Sequence, residues 1–373
     1  MEASHVHCQS DERTLTYEQV VKLNAILNRP VELQSPSNFP TLSVTPASLV
    51  EEVRQRLDEK KVSIQSIRMN GSAASHCLCK VRESENLPPI IYNDVDIIFV
   101  VPAEYQQEDF NLIKDTVMKS LLKFFPKGIS TEKLSTAILE EAYARKMVKI
   151  VTHENRWSLV SLGGGSDVSI ELKFVAAMKR PFQFTVDSFQ IALDSYFTLE
   201  RCQKAVSMYG DYDKALEHLN DRLIHTTKPA EIHGGGLLKY CYLLARGFKP
   251  ANREDMTQLE PYMCSRFFID FQSREQQFSK ILDYAQRYPE LEQSQTFLDT
   301  LMDVVFRKAR CLMESERQKT IDVICQVKTA ICYQQFTDHF PHYGFQMSNI
   351  YSHQYPLPYN GYSSLRMQLP CSS

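Results

Sequence analysis

Apolar residues recur along this chain with two different periods, and the change from one to the other organises it. Thr45-Pro46 precedes Leu49, Val50, Val53 and Leu57, which combines an N-cap, a proline at the first helical position and an amphipathic stripe. That pattern predicts a helix from Pro46 to Glu59. In the following VSIQSIRMN, Val62, Ile64 and Ile67 punctuate polar residues as in a short strand. Strand signals return at Ile90–Val100, Met147–Val151, Trp157–Leu162 and Val168–Val175, with helical spacing from Asp109 to Phe125. Gly163-Gly164-Gly165-Ser166-Asp167 reads as a hairpin turn between the last two strands. From about Val186 the period becomes helical, through DSFQIALDSYF, DYDKALEHLNDRLI, GGLLKYCYLLARGF and QFSKILDYAQRY to Val327. The expected fold class is α+β, with a mobile leader at 1–15, a mixed-sheet lobe at 16–185, a mainly helical lobe at 186–338 and a cleft between the lobes. A tail at 339–373, rich in Tyr, Pro, Ser, Asn and Gln, has neither period and is expected to be disordered.

The apolar run ending in NDVDIIF raises a question of charge. Asp94 and Asp96 interrupt it, and a desolvated carboxylate is costly unless something cationic pairs with it. In a strand, Val95, Ile97 and Phe99 would point into the core and the two aspartates together to the other face, about 6.6 Å apart. Oxygen ligands so spaced suit Mg²⁺ or Mn²⁺. The strand VSIELKFV supplies a third carboxylate. With Val168, Ile170, Leu172 and Phe174 on one face, Ser169, Glu171 and Lys173 fall on the other, and Asp167 in the turn is a weaker candidate. Without metal, like charges crowded on one sheet face predict a repulsion that either Asp94→Asn or Asp96→Asn would relieve.

Two glycine segments suggest phosphate contacts. Asn70-Gly71-Ser72-Ala73-Ala74-Ser75 follows a strand and should start a helix, where Gly71 permits close approach and Ser72 can cap. His233-Gly234-Gly235-Gly236 opens a later helix from which Lys239 could reach a phosphate, although a plain interhelical turn explains those glycines equally well. Lys179-Arg180 and Arg307-Lys308-Arg310 could track a nucleic-acid backbone, but solvated helix faces are the simpler account. His76 and His233 are lone histidines of a kind more often structural than catalytic.

Composition adds exclusions. A net charge of -3 offers no global attraction to nucleic acid, so such a partner would need local basic patches. The ten cysteines lack paired metal-ligand spacing, which leaves structural thiols as the simplest account. The N-terminus shows no signal segment, and no stretch of about 18 apolar residues suggests a membrane span.

Taken together, G-S at a helix start, D-x-D on a strand and a later acidic strand resemble the polymerase-β-type nucleotidyltransferase superfamily. The phrases NGSAASH, NDVDIIF, RWSLVSL, IELKFV, VDSFQIALDS, SMYGDYDKALEHLNDRLI, GGGLLKY and YMCSRFFIDF, in this order over roughly residues 15–335, resemble the terminal nucleotidyltransferase 5 group of noncanonical poly(A) polymerases. The resemblance implies metal-dependent transfer of AMP from ATP to an RNA 3′ end. It places metal ligation and catalysis on Asp94, Asp96 and Glu171, and triphosphate contact on Gly71 and Ser72. It further implies an enzyme of the cytoplasm, with the nucleus as a second compartment, and protein partners that recruit it to transcripts. The interval from Ser72 to Asp94, containing VRESENLPP, and the stretch AAMKRPF depart from the family pattern. The rival expectations are a transferase of the same fold with a non-RNA acceptor, and a non-catalytic interaction protein retaining the fold.

Overall fold

In a computed structural model the alternating apolar segments pair into a mixed eight-stranded sheet. The structure describes residues 12–35, 39–80, 90–163, 168–179, 182–198, 202–288, 290–309 and 313–339. Residues 1–11 of the expected leader, the turn at 164–167 with Asp167, the VRESENLPP segment and the tail at 340–373 lie outside these.

The chain divides into two compact units, residues 1–221 and 222–373. The first contains, in chain order, β1 (Arg13–Thr14), α1 (Tyr17–Asn28), β2 (Val31–Leu33), β3 (Leu42–Val44), α2 (Pro46–Glu59), β4 (Ser66–Asn70), α3 (Gly71–Leu78), β5 (Asp94–Val100) and α4 (Gln107–Ser120). It continues with α5 (Thr136–Tyr143), β6 (Ala144–Val151), β7 (Arg156–Leu162), β8 (Ser169–Ala177), β9 (Phe189–Ala192), α6 (Asp194–Phe197), β10 (Lys204–Ser207) and α7 (Tyr212–Asn220). The large sheet has the order β1-β10-β9-β4-β5-β8-β7-β6; β5 and β8 run parallel, and every other neighbouring pair is antiparallel.

Local chemistry explains the elements that matter. Thr45 caps α2 by accepting from the Ser48 N–H, with Pro46 at the first helical position, and Leu49, Val50, Val53 and Leu57 are all buried. The helix closes at Lys61, held at φ 59, and the Val62 N–H donates to the Leu57 carbonyl at 2.9 Å. On β5 and β8, Val95, Ile97, Phe99, Ile170, Leu172 and Phe174 form one buried face, as the alternation requires. Phe99 and Phe174 are directly paired in the parallel register and stack with ring centres 4.7 Å apart.

The unit boundary expected at 185/186 falls instead at 221/222. The segment DSFQIALDSYF, expected to be helical, forms strand β9 between β10 and β4, followed by the single turn α6. Its Phe189 and Ile191 are buried, and a short buried strand cannot be told from a buried helix by periodicity alone. The Asp194 carboxylate then accepts from the Ile67 N–H of β4 at 3.1 Å, tying this segment to the first unit.

The second unit contains β11 (Leu223–Ile224), α8 (Gly235–Ala245), β12 (Lys249–Pro250), α9 (Arg253–Asp270), α10 (Arg274–Ala285), α11 (Leu291–Lys308) and α12 (Glu314–His339). β11 and β12 make a short parallel ladder. Leu237, Cys241, Phe267, Ile281, Phe297, Leu301, Val305 and Ile324 are fully buried in this unit. Among the described residues no helix is long and apolar enough to cross a membrane.

Because Phe99 and Phe174 clamp the β5–β8 pairing from the buried face, Phe99→Ala is expected to cost about 3–5 kcal/mol. Urea denaturation checks this, and a loss below about 1 kcal/mol would show that the stack does not hold the register.

Candidate metal and nucleotide site

The strand register decides which polar side chains meet. Asn70 of β4 pairs with Asp96 of β5, Asp96 with Glu171 of β8, and Glu171 with Ser161 of β7, so these four residues form a row across four adjacent strands. Asp94 lies two residues earlier on β5, opposite Ser169, whose N–H donates to the Asn93 carbonyl at 2.9 Å and fixes the start of the β8 pairing. Asp94, Asp96 and Glu171 are half-buried, and each offers a carboxylate oxygen within 4.8 Å of the others. The third carboxylate thus stands beside the D-x-D pair, as the alternation anticipates.

Gly71 and Ser72 begin α3 directly after β4. Gly71 has φ +69, and a Cβ built on it would overlap Asp96 Oδ2. The glycine is therefore required twice, by its backbone conformation and by the approach of the carboxylate. Ser72 does not cap the helix as expected. Asn70 occupies the N-cap position without a side-chain cap, and Ser72 Oγ donates to Asp94 Oδ1 at 3.3 Å. The serine thereby links the helix start to the acidic cluster.

Lys173 is the functional neighbour whose contact the alternation alone did not disclose. Its Nζ lies 2.7 Å from Asp96 Oδ1 and 3.7 Å from Glu171 Oε2. Side-chain exposures of 13% for Asp96, 20% for Glu171 and 23% for Lys173 leave all three partly desolvated. Burial first, then the charge of Asp96, raises the Glu171 carboxyl to about 7, against the opposing pull of Lys173. Burial acts to lower the Lys173 ammonium, but the Asp96 and Glu171 charges outweigh it and the net shift is upward, so it stays charged. Lys173 supplies one positive charge against three carboxylates. Hard oxygen donors with that residual charge fit a divalent cation.

Other expected contacts resolve differently. The Gly234 N–H donates to Asp270 Oδ2 at 2.7 Å, and a Cβ at Gly234 would come within 2.9 Å of Asp270 Cβ and 3.1 Å of the Arg266 carbonyl. Close packing of α8 against α9 thus accounts for this glycine without a phosphate. Lys239, on α8, is half-buried with its ammonium 5.7 Å from the centre of the Tyr242 ring. Lys179 pairs with Glu154 at 3.0 Å, Lys308 with Glu260 at 2.9 Å, and Arg307 with Asp303, while Arg180 and Arg310 lie outside the described residues. His76 Nδ1 contacts the Ile90 carbonyl and its ring packs edge-on against Tyr92, and His233 is exposed. Cys77, Cys241 and Cys264 are buried thiols, whereas Cys202, Cys325 and Cys332 are exposed.

Lys173 changes the expectation for the two amide variants. In chelator, Asp94→Asn should be at least as stable as wild type, since it removes one of three like charges. Asp96→Asn should instead lose about 1–3 kcal/mol, because it deprives the Lys173 ammonium of its 2.7 Å partner. Thermal melts with chelator separate the two, and equal behaviour would mean that the ion pair contributes nothing. A second expectation concerns pH. The metal-free Glu171 carboxyl binds its proton more tightly folded than at its ordinary value of 4.5, so its stabilising contribution is full below about pH 4.5 and lost as pH rises through 7. Stability of wild type relative to Glu171→Gln, measured in chelator, should fall over that window; parallel pH profiles would refute the shift.

Comparison with known proteins agrees with this geometry. A nucleotidyltransferase family model matches residues 15–327. Among similar proteins, terminal nucleotidyltransferase 5B of Xenopus tropicalis is 41% identical over 335 residues, covering 86% of this chain and 83% of that protein. Terminal nucleotidyltransferase 5C of Rattus norvegicus is 42% identical over 324 residues, covering 83% and 81%. Terminal nucleotidyltransferase 5C of Gallus gallus is 38% identical over 397 residues, covering 99% of both. The match spans the glycine turn, the D-x-D strand and the Glu171 strand, and the chain belongs to the nucleotidyltransferase family, in its terminal nucleotidyltransferase 5 group.

Proposed function

We propose that this nucleotidyltransferase is an RNA adenylyltransferase that uses Mg²⁺ or Mn²⁺ to add AMP from ATP to RNA 3′ ends in the cytoplasm, recruited to transcripts by protein partners. The observation that carries the reading is the gathering of Asp94, Asp96 and Glu171 oxygens within 4.8 Å on adjoining strands, at the mouth of the Gly71–Ser72 turn. In this reading the three carboxylates are the metal ligands and catalytic residues.

In the proposed reaction the RNA 3′ hydroxyl oxygen bonds to the α-phosphorus of ATP as the bond to pyrophosphate breaks. Little covalent chemistry falls to the protein, so positioning and charge stabilisation carry the rate. When bound, divalent ions supply neutralisation of the triphosphate and of the departing pyrophosphate and lower the pKa of the attacking hydroxyl. Asp94 and Asp96 would hold these ions from one strand and Glu171 from its parallel neighbour. Gly71 lets the chain turn against Asp96 without a side chain in the way, and the first N–H groups of α3 would face the triphosphate. Ser72 steadies Asp94 through its 3.3 Å hydrogen bond.

Extension of an oligoadenylate primer with labelled nucleotides tests the proposal. Elongation should require Mg²⁺ or Mn²⁺, prefer ATP over the other ribonucleotides, and fall by roughly two orders of magnitude or more in Asp94→Asn or Asp96→Asn. Undiminished extension in excess chelator would remove the metal. Transfer to a small molecule or protein instead of the primer would favour a different acceptor.

A further inference from the structure

The acidic cluster carries a cation of its own. Lys173 stands two residues beyond Glu171 on β8, and its ammonium contacts Asp96 Oδ1 at 2.7 Å while lying 3.7 Å from Glu171 Oε2. Its register neighbours Ile98 and Leu159 are both buried, so the stem of the side chain rises between apolar walls toward the carboxylates. The other oxygen of Asp96, Oδ2, lies so close to Gly71 that a side-chain carbon on that residue would collide with it. Asp96 thus has an ammonium on one oxygen and the side-chain-free Gly71 beside the other.

We infer that Lys173 is a positioning residue that competes with the divalent ion for Asp96. Without metal it screens the repulsion between Asp96 and Glu171 and holds the two strands' carboxylates in place. A divalent ion entering the cluster meets a positive charge already seated at one of its ligands, and the two cations repel. The chain accordingly trades affinity for the free ion against order in the empty cluster. An ion arriving with a triphosphate brings negative charge with it and is penalised less. This inference rests on reading Asp94, Asp96 and Glu171 as metal ligands, and it assigns Lys173 a role that neither the ligand set nor the nucleotide turn contains.

The test is direct Mn²⁺ binding to the full chain without nucleotide, by calorimetry or by the electron paramagnetic signal of the free ion, together with melting in chelator. Removing the unit charge seated on Asp96 should tighten Mn²⁺ binding in Lys173→Gln by about tenfold or more. The same variant should melt about 4 °C or more below wild type in chelator and gain more from added Mn²⁺. Lys173→Arg, which keeps the charge, should stay near wild type in both readouts. Should the glutamine variant not fold, Lys173→Met, which keeps the buried stem, takes its place with the same expectations. Mn²⁺ affinity equal to or weaker than wild type in the uncharged variant overturns the inference while leaving the metal site intact. Absence of Mn²⁺ binding in both proteins overturns the metal reading, and the inference with it.

Discussion

The parallel pairing of β5 with β8 is the constraint on which the site depends. It joins segments about 75 positions apart in the chain and sets Asp96 directly opposite Glu171. A one-residue slip would turn Glu171 to the buried face and bring Ile170 or Leu172 to the carboxylates. The register is fixed from behind, where Phe99 stacks on Phe174 and Val95, Ile97, Ile170 and Leu172 are buried. It is also fixed at its end, where the Ser169 N–H binds the Asn93 carbonyl. The apolar face therefore specifies the geometry of the polar face from the opposite side of the sheet.

That arrangement concentrates charge, and the surroundings show how it is tolerated. Asp94 accepts from Ser72, Asp96 is held by Lys173, and the Glu171 carboxyl responds by an upward shift that keeps part of it protonated near neutrality. These are three different remedies for one electrostatic problem: a hydroxyl donor, a counter-ion and a bound proton. A divalent ion would replace the last by neutralising the glutamate without a proton, which couples metal binding to proton release at this residue.

Much of this was legible in the sequence because period-2 alternation assigns faces without knowing the partner strand. The helix at Pro46–Glu59 and the burial of Val95, Ile97, Phe99, Ile170, Leu172 and Phe174 follow from local pattern and capping alone. What the pattern could not supply was long-range geometry. Lys173 is visible as a residue on the acidic face, but its choice of Asp96 over Glu171 as the closer partner depends on how β5 and β8 align. Strand β9 escaped because four consecutive, mostly apolar residues carry too little period to exclude a helix, and its pairing partners lie more than a hundred residues upstream and 14 to 18 downstream. The unit boundary moved with it, since a strand embedded between β10 and β4 cannot belong to another unit.

The two glycine segments show why residue type alone does not assign chemistry. Both precede helices, and both forbid a side chain, yet the obstructing atoms differ. At Gly71 the neighbour is a carboxylate oxygen of the acidic cluster, and φ +69 turns the chain there. At Gly234 the neighbours are the Arg266 carbonyl and the Asp270 and Phe271 side chains, and an aspartate already accepts from the backbone N–H. An anion approaching Gly234 would have to displace a carboxylate bound at 2.7 Å, whereas at Gly71 the adjoining helix start carries no side-chain cap and lies beside residues that attract cations. In the proposed reading, a triphosphate with divalent ions would satisfy both features of the first site at once, the helix start favouring negative oxygens and Asp94, Asp96 and Glu171 favouring cations. The pairing of a helix start without a side-chain cap with an acidic strand, more than either glycine, is therefore what supports the proposed reading of the first unit as a metal–nucleotide site.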